Sequence, residues 1–281
     1  MTTRLSQSGV ALAIVLWFVA GMSLLVAGIV SQASVDTRMA QLHAARARVA
    51  AAGDGATQLF MLDSLARRGA DARSSAANAG RYRLGDLDVT VSLVPTSGLI
   101  DLNSAPAPVL VALFDVAAGL APADAQYIAD NVVNWRTPKA SRGIQQRGGA
   151  KFTEIEDLLR VEGVGRTLLD GVRDYVAAGS AIAGGTDWSL APAAVLAVLE
   201  KSDAQRFDSV SRRREKMAQR AESSPGQAPG VAAGGSYRMD AVLRYGDRAW
   251  LRRSWLVQES GSQSLLPWRV LRSEAPRVIG D

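Results

Sequence analysis

The sequence predicts an α+β fold: one long N-terminal helix packs on a small antiparallel sheet, and an all-α insertion interrupts that sheet. Three observations predict it. An uncharged apolar run, Val10 to Val30, opens the chain and passes into a segment of helical periodicity. Two segments alternate, Leu87 to Leu93 strictly and Tyr237 to Tyr245 with Val242 on its polar side. Between them lies a long stretch of helical character carrying an internal repeat.

Composition narrows the functions such a fold can serve. The chain has 281 residues, 48% of them hydrophobic, which is ordinary for a folded protein and enough for two compact domains. Lys and Arg number 32 against 27 Asp and Glu, a net charge of +5. Cysteine is absent and His43 is the single histidine, so thiol catalysis, disulfides and Cys/His zinc sites are excluded. A Ser-His-Asp arrangement would have to run through His43. No carboxylate pair stands in a catalytic motif, and Gly148-Gly149 lacks the spacing of a phosphate-binding loop. These counts favour a protein that binds, spans or assembles over an enzyme.

The run VALAIVLWFVAGMSLLVAGIV, from Val10 to Val30, is long enough to cross a bilayer as a helix. Arg4 is the one charge before it, which sets the N-terminus in the cytoplasm and the rest outside. Three readings compete. Ser31-Gln32-Ala33 fits a small-x-small signal cleavage site, although the apolar run is longer than such signals use. An uncleaved anchor is the plain alternative. The third turns on Ser8-Gly9-Val10, where the polar leader meets the apolar run. This junction resembles the class III leader of type IV pilins and pseudopilins. The resemblance implies cleavage by a prepilin peptidase after Gly9 and N-methylation of Val10. Most pilin-like proteins carry Glu at the fifth mature position, and here Ile14 stands there.

Helical spacing continues through Val35, Met39, Leu42, Val49, Leu59, Leu62 and Leu65, so one helix is expected to about Arg68. Gly53 and Gly55 are candidate kink positions, and His43 reads as a partly exposed helix residue. An Ala/Ser/Gly-rich loop follows, Gly69 to Gly80. Leu87 to Leu93 is a half-buried strand. Tyr237 to Tyr245, a turn at Gly246-Asp247, Ala249 to Gln258 and Trp268 to Arg272 supply three more strands of the same sheet.

The insertion repeats one phrase: Asp101-Leu102-Asn103-Ser104-Ala105-Pro106 matches Asp187-Trp188-Ser189-Leu190-Ala191-Pro192. Each copy reads as a helix start with Pro in the first turn, capped by Asn103 or Ser104 and by Ser189. Further helices are expected over Pro122 to Trp135, over Thr153 to Leu159 with Thr153 and Glu156 as a capping box, over Leu168 to Val176, and in an Arg-rich segment ending near Glu222. Ser223 to Ser236 reads as a linker.

These features in this order resemble the GspK family of type II secretion minor pseudopilins. The likeness rests on Ser8-Gly9-Val10 with its apolar span, the missing Glu at Ile14, the segment Ile100 to Ala105, and Phe152-x4-Asp157-Leu158-Leu159-x-Val161-x-Gly163. It implies a pilin-like fold with an inserted helix-hairpin-helix or SAM-like domain. The divisions are a leader over 1–9, a transmembrane helix over 10–30, stalk and first strand over 31–98, the insertion over 99–222, a linker over 223–236 and terminal strands over 237–281. It also implies a single-pass inner-membrane protein with a periplasmic head at the pseudopilus tip. The implied partners are the minor pseudopilins of the H, I and J types, the major pseudopilin, the prepilin peptidase, and the secretin or cargo.

Other readings attach to particular segments. Gly163-Val164-Gly165 resembles a helix-hairpin-helix turn, which in DNA-binding proteins holds a phosphate on backbone amides; Glu162 inside the turn and a packing role for the glycines weigh against DNA. Arg212-Arg213-Arg214-Glu215-Lys216 reads as a solvated helix face, with nucleic acid or anionic lipid as the sharper alternative. The family resemblance implies calcium in an acidic loop after a Trp. Asn134-Trp135-Arg136-Thr137-Pro138-Lys139 stands there instead, without the carboxylates a hard cation needs. Glu154, Glu156 and Asp157 are the remaining acidic candidates, or else complement a helix dipole. A membrane-anchored DNA receptor and a type IV minor pilin are the alternatives in function.

Overall fold

A computed structural model of the chain describes residues 8–70, 79–137, 151–179, 185–223, 235–258 and 268–279. Residues 1–7 of the expected leader, 138–150 of the basic loop and 224–234 of the expected linker lie outside the described residues. The chain forms two compact units, Met1–Ala51 and Ala52–Asp281. Helix α1 (Ser8–Ala70) supplies the described part of the first unit, and its residues 12–41 are exposed, as is His43.

The second unit is the α+β head. The remainder of α1 leads to a hairpin of β1 (Ala79–Leu84) and β2 (Leu87–Pro95). The insertion follows, with β3 (Ile100–Asp101), α2 (Ala107–Ala118), α3 (Pro122–Arg136), a 3-10 turn (Ile155–Arg160), α4 (Arg166–Val172), β4 (Val176–Ala177), α5 (Ala193–Ser202) and α6 (Ala204–Ser223). The chain then returns as β5 (Ser236–Tyr245), β6 (Arg248–Gln258), β7 (Trp268–Ser273) and β8 (Arg277–Val278). The sheet order is β1-β2-β5-β6-β7, with β8 also on β6, and every pairing is antiparallel. The insertion leaves and re-enters the sheet at adjacent points: the Thr96 hydroxyl donates to the Ser236 carbonyl at 3.0 Å.

Alternation decides which face of the sheet meets α1. Leu87, Val89, Val91 and Leu93 are buried while Asp88 and Thr90 are exposed. Register sets Val89 opposite Leu243, Val91 opposite Ala241 and Leu93 opposite Met239, making one apolar face across β2 and β5. Ala52, Ala56, Phe60 and Met61 of α1 are buried, and Phe60 meets Tyr82 edge-to-face at 6.4 Å between ring centroids. The helix runs unbroken through Gly53 and Gly55, and the structure gives these glycines a packing task. A Cβ on Gly53 would lie 2.6 Å from the Arg252 Cβ, so only glycine allows this approach of helix to strand. Asp54, one residue on, accepts from Arg252 Nε at 2.8 Å and Nη2 at 3.0 Å.

The insertion has its own core, in which Leu99, Leu102, Leu110, Leu113, Phe114, Phe152, Leu158 and Leu169 are fully buried. Several expected details change here. Asn103, Ser104 and Ser189 are not caps. The cap positions of α2 and α5 are Pro106 and Pro192, without side-chain cap bonds. The repeated residue that matters is the aspartate. Asp101 accepts from Asn103 N at 2.9 Å and from the Ser104 hydroxyl at 2.7 Å; Asp187 accepts from Ser189 N at 3.0 Å and its hydroxyl at 2.6 Å. Each copy is thus an Asp-centred turn that delivers a proline to the helix start.

The expected helix over Thr153–Leu159 is a 3-10 turn, and its capping box is Glu154 with Asp157, not Thr153 with Glu156. The short Asp157 carboxylate reaches back to Thr153 N, the Thr153 hydroxyl and Glu154 N at 2.8–3.1 Å, which leaves Glu156 free to face Arg272. The expected helix Leu168–Val176 stops at Val172. Val176-Ala177 pairs in parallel with Ile100-Asp101 instead, because the Tyr175 and Ala177 carbonyls take the Ile100 and Leu102 amides at 2.9 and 3.1 Å.

Candidate functional site

In α1 no charged residue occurs between Leu12 and Val30, and the helix is long and apolar enough to cross a membrane. Val10 to Val30 spans about 31 Å at the helical rise, near the thickness of a bilayer's hydrocarbon core. Gly9 and Val10 lie in the first turn of α1, and Ile14, one turn on, is exposed. The expected leader junction and the position that lacks Glu therefore share one continuous helix with the apolar run.

The Gly163-Val164-Gly165 turn joins the 3-10 turn to α4. Gly163 has φ +86°, which a side chain would strain, and a Cβ there would also press on Tyr127 and Ile128 of α3 at 3.3–3.4 Å. Val164 is buried. Glu162 accepts a hydrogen bond from the Tyr127 hydroxyl at 3.0 Å, and its carbonyl accepts from Asn131 Nδ2 at 3.1 Å. The turn is fastened to α3 by a carboxylate, an arrangement opposed to binding phosphate; Arg166 is exposed.

Sequence reasoning missed the densest cluster of charge, which lies on the sheet face turned away from α1. Arg238 and Asp240 of β5 read as the solvent side of an alternating strand, yet they are 5% and 9% exposed, and Arg253 of β6 is 2% exposed. Register sets Asp240 opposite Arg253. The Asp240 carboxylate accepts from Arg253 Nε at 2.6 Å and Nη2 at 3.0 Å, and lies 3.0 Å from Arg238 Nε. The insertion completes the cluster. Asp174, between α4 and β4, accepts from Arg253 Nη1 and from Arg277 Nη2 at 2.7 Å each, and its carbonyl accepts from Arg238 Nη1 at 2.8 Å. Burial works to raise the Asp174 carboxyl, but Arg253 and Arg277 outweigh it and hold it below the ordinary carboxylate range. Burial would lower the Arg253 guanidinium, yet its bonds to Asp240 and Asp174 raise it. The signal that could have revealed this seam is topological. An insertion leaving one strand and returning to its neighbour must cover one sheet face, so the polar residues on that face need partners.

A second row continues the seam. Arg272 of β7 donates to Glu156 at 2.9 Å and approaches Glu154 at 3.5 Å, and Arg173 lies 3.6 Å from Glu156 and 3.7 Å from Glu274. Burial favours a raised Glu156 carboxyl, while the bond from Arg272 and the nearby Arg173 bring it below its ordinary value. The acids weighed as calcium ligands thus face guanidinium groups or close a capping box. Of the segment after Trp135, only Arg136 and Thr137 are among the described residues. The Arg136 guanidinium already donates to the Leu102 carbonyl at 2.8 Å and to the Ala105 carbonyl. Among the described residues no group of three His, Asp or Glu side chains could hold a metal.

A second, structural tie joins the two sequence phrases on which the resemblance leans. Asn103 Nδ2 donates to the Phe152 carbonyl at 3.0 Å, and Asn103 Oδ1 accepts from the Phe152 amide at 2.8 Å. The side-chain amide therefore clamps Phe152 like a strand neighbour.

Fold and site together define a protein with an N-terminal helix of membrane length and an α+β head whose mainly helical insertion, with its own short parallel strand pair, is bonded to the sheet by ion pairs. No family model and no curated protein matches the sequence. Among solved structures, the chain is similar to a chain of the crystal structure of the GspK-GspI-GspJ complex from the enterotoxigenic Escherichia coli type 2 secretion system. Identity is 13%, the match covers 87% of this chain and 99% of that one, and the TM-score is 0.43.

Proposed function

We propose that the chain is a GspK-type minor pseudopilin that helps initiate and cap the pseudopilus of a type II secretion system. The observation that carries this reading is the Ser8-Gly9-Val10 junction standing in the same helix as an uncharged, exposed apolar run. A prepilin peptidase would cut after Gly9 and methylate Val10. The mature chain would cross the inner membrane once, with the head in the periplasm, as Arg4 before the span favours.

Ile14 supports a place at the filament tip. In a pilin-like filament, the fifth-position Glu of an entering subunit neutralises the N-terminal ammonium of the subunit above it. An unpaired charge in the bilayer costs several kcal/mol, so a subunit without that Glu fits best where nothing stands above it. The H-, I- and J-type minor pseudopilins are the expected partners, bundled through α1, with the major pseudopilin below. The insertion would meet the secretin or cargo. A role in assembly is also consistent with a charge cluster that is spent on holding sheet and insertion together. A type IV minor pilin shares the leader and stalk, but the insertion favours the K type. The DNA-receptor reading loses its footing because Glu162 occupies the turn on which it depends.

Co-expression of the full chain with the I- and J-type minor pseudopilins of the same system tests this. A stoichiometric complex that survives affinity purification in mild detergent is expected. Recovery of the chain alone, with the partners well expressed, would contradict the proposal.

A further inference from the structure

Helix α6 carries a cationic ridge that neither the fold nor the proposed assembly role uses. Its buried side is defined by Phe207 and Val210, which pack against the insertion core, and by Arg214, whose guanidinium donates to the Ala191 carbonyl at 2.7 Å. Arg214 is therefore a structural residue and leaves the sequence cluster. Arg206, Arg212, Arg213, Lys216 and Arg220 are exposed: Arg212 and Lys216 fall opposite that side, and Arg206, Arg213 and Arg220, seven residues apart, run beside them in one stripe. The stripe is about 21 Å long at the helical rise. Ser209, Arg212, Arg213 and Lys216 line one shallow surface recess.

An ordinary solvated helix face alternates sign, because like charges four residues apart repel. Here Arg212 and Lys216, and Lys216 and Arg220, are such like pairs. Among the described residues none of the five cations forms an ion pair, and Arg212 Nε is spent on the Asp208 carbonyl at 3.2 Å. Of the helix's three acids, Asp208, Glu215 and Glu222, the first two lie along one flank of the stripe. This contrasts with the seam, where Arg238, Arg253, Arg272 and Arg277 each meet a carboxylate.

We infer that this ridge is a docking surface for an acidic protein segment: a helix or strand presenting a row of carboxylates along a matching length. Charge complementarity selects the chemistry, and the geometry selects protein over lipid. A flat anionic membrane would bring Asp208 and Glu215 against its own phosphates, whereas a ridge one element wide meets the cations and leaves the flank in water. Phe207 and Val210 are committed to the core, and the one exposed large apolar side chain among the described residues of the helix is Met217, too little for insertion into a membrane. Contact along one helix is small and electrostatic, so association is weak, fast and steeply salt-dependent.

The test uses the full chain in nanodiscs of zwitterionic lipid, with a fluorescent 20-residue poly-glutamate peptide as the acidic segment. Binding is expected at low salt and is expected to fall as salt rises. The triple substitution Arg213→Gln, Lys216→Gln and Arg220→Gln should weaken it about tenfold, as the loss of three exposed ion pairs implies. Arg81→Gln with Arg83→Gln, exposed cations of β1, is the charge-loss control and should leave binding within about twofold. Equal loss in control and ridge variants would overturn the proposal, as would no binding. Co-sedimentation with vesicles of phosphatidylglycerol and phosphatidylcholine, abolished by the ridge substitutions, would also overturn it and assign the ridge to a lipid surface.

Discussion

Leu25 and Leu99 are the same residue in two different solvents. Leu25, in the leading part of α1, is 63% exposed, and Leu99, at the base of the insertion, is fully buried. Around Leu25 every large apolar side chain is open and no charge occurs; around Leu99 the apolar groups are enclosed and even the buried arginines have carboxylates. The head encloses a broad apolar core and sets carboxylates against its buried arginines. A helix that exposes a run of Leu, Val, Ile, Phe and Trp needs another phase, which a bilayer or a bundle of like helices supplies. The two regions therefore differ in kind: the leading part of α1 exposes its apolar side chains, and the head encloses most of its own.

The sharpest way to break this contrast is to leave a charge unpaired inside the head. Asp240→Ala strips Arg253 and Arg238 of their shared carboxylate and should destabilise the head by about 3–5 kcal/mol, the usual cost of breaking a buried pair from one side. Denaturant unfolding of the detergent-solubilised chain, followed by tryptophan fluorescence, to which five tryptophans of the head contribute, reads it. A loss below about 1 kcal/mol would mean that water reaches the seam and that the pairs resemble surface ones. Asp240→Leu combined with Arg253→Met and Arg238→Met should recover most of the stability.

A pair of glycines sharpens the comparison at the level of packing. Gly53→Ala sets a Cβ 2.6 Å from the Arg252 Cβ and should cost about 1–3 kcal/mol, as overpacking does. Gly21→Ala, in the exposed run, meets nothing within 4 Å and should leave the unfolding of the head unchanged. If the two substitutions behave alike in the same unfolding measurement, the close approach of α1 to the sheet is wrong.

The smallest effect is in pH. Asp174, Glu156 and Asp157 all have carboxyls held below their ordinary values in the folded head. Their contribution is thus fully present above the unfolded-state values and is lost as pH falls through about 4 toward the folded values. The melting temperature of the head should drop between pH 5 and pH 3 by more than a surface-charged protein's would, and Asp174→Asn should flatten that slope. An Asp174→Asn protein with the same acid profile would remove Asp174 from the account.

Much of the head was legible in the sequence because alternation has a simple cause. Leu87 to Leu93 and Tyr237 to Tyr245 show one apolar face each, and both became strands with that face inward. The turn at Gly246-Asp247 and the strands on either side of it also followed from local chemistry. Legibility failed where a partner far along the chain decides. The pairs Ile100-Asp101 and Val176-Ala177 are too short to show a period and exist because each completes the other. The repeat was visible, but Pro106 and Pro192 take the cap positions, and the side chains of Asn103 and Ser189 go to Phe152 and Asp187. The seam was invisible for the same reason: Arg238 and Asp240 look solvated until the insertion is folded over them.

The central claim is that Ser8-Gly9-Val10 is a processing junction at the head of an assembly helix. Intact-mass and N-terminal peptide mass spectrometry of the chain, purified from membranes of a bacterium with a prepilin peptidase, tests it most directly. The account predicts a mature chain that begins at Val10 and carries one N-methyl group. A chain that retains Met1, or one that begins at Ser34 after cleavage behind Ala33, would contradict it.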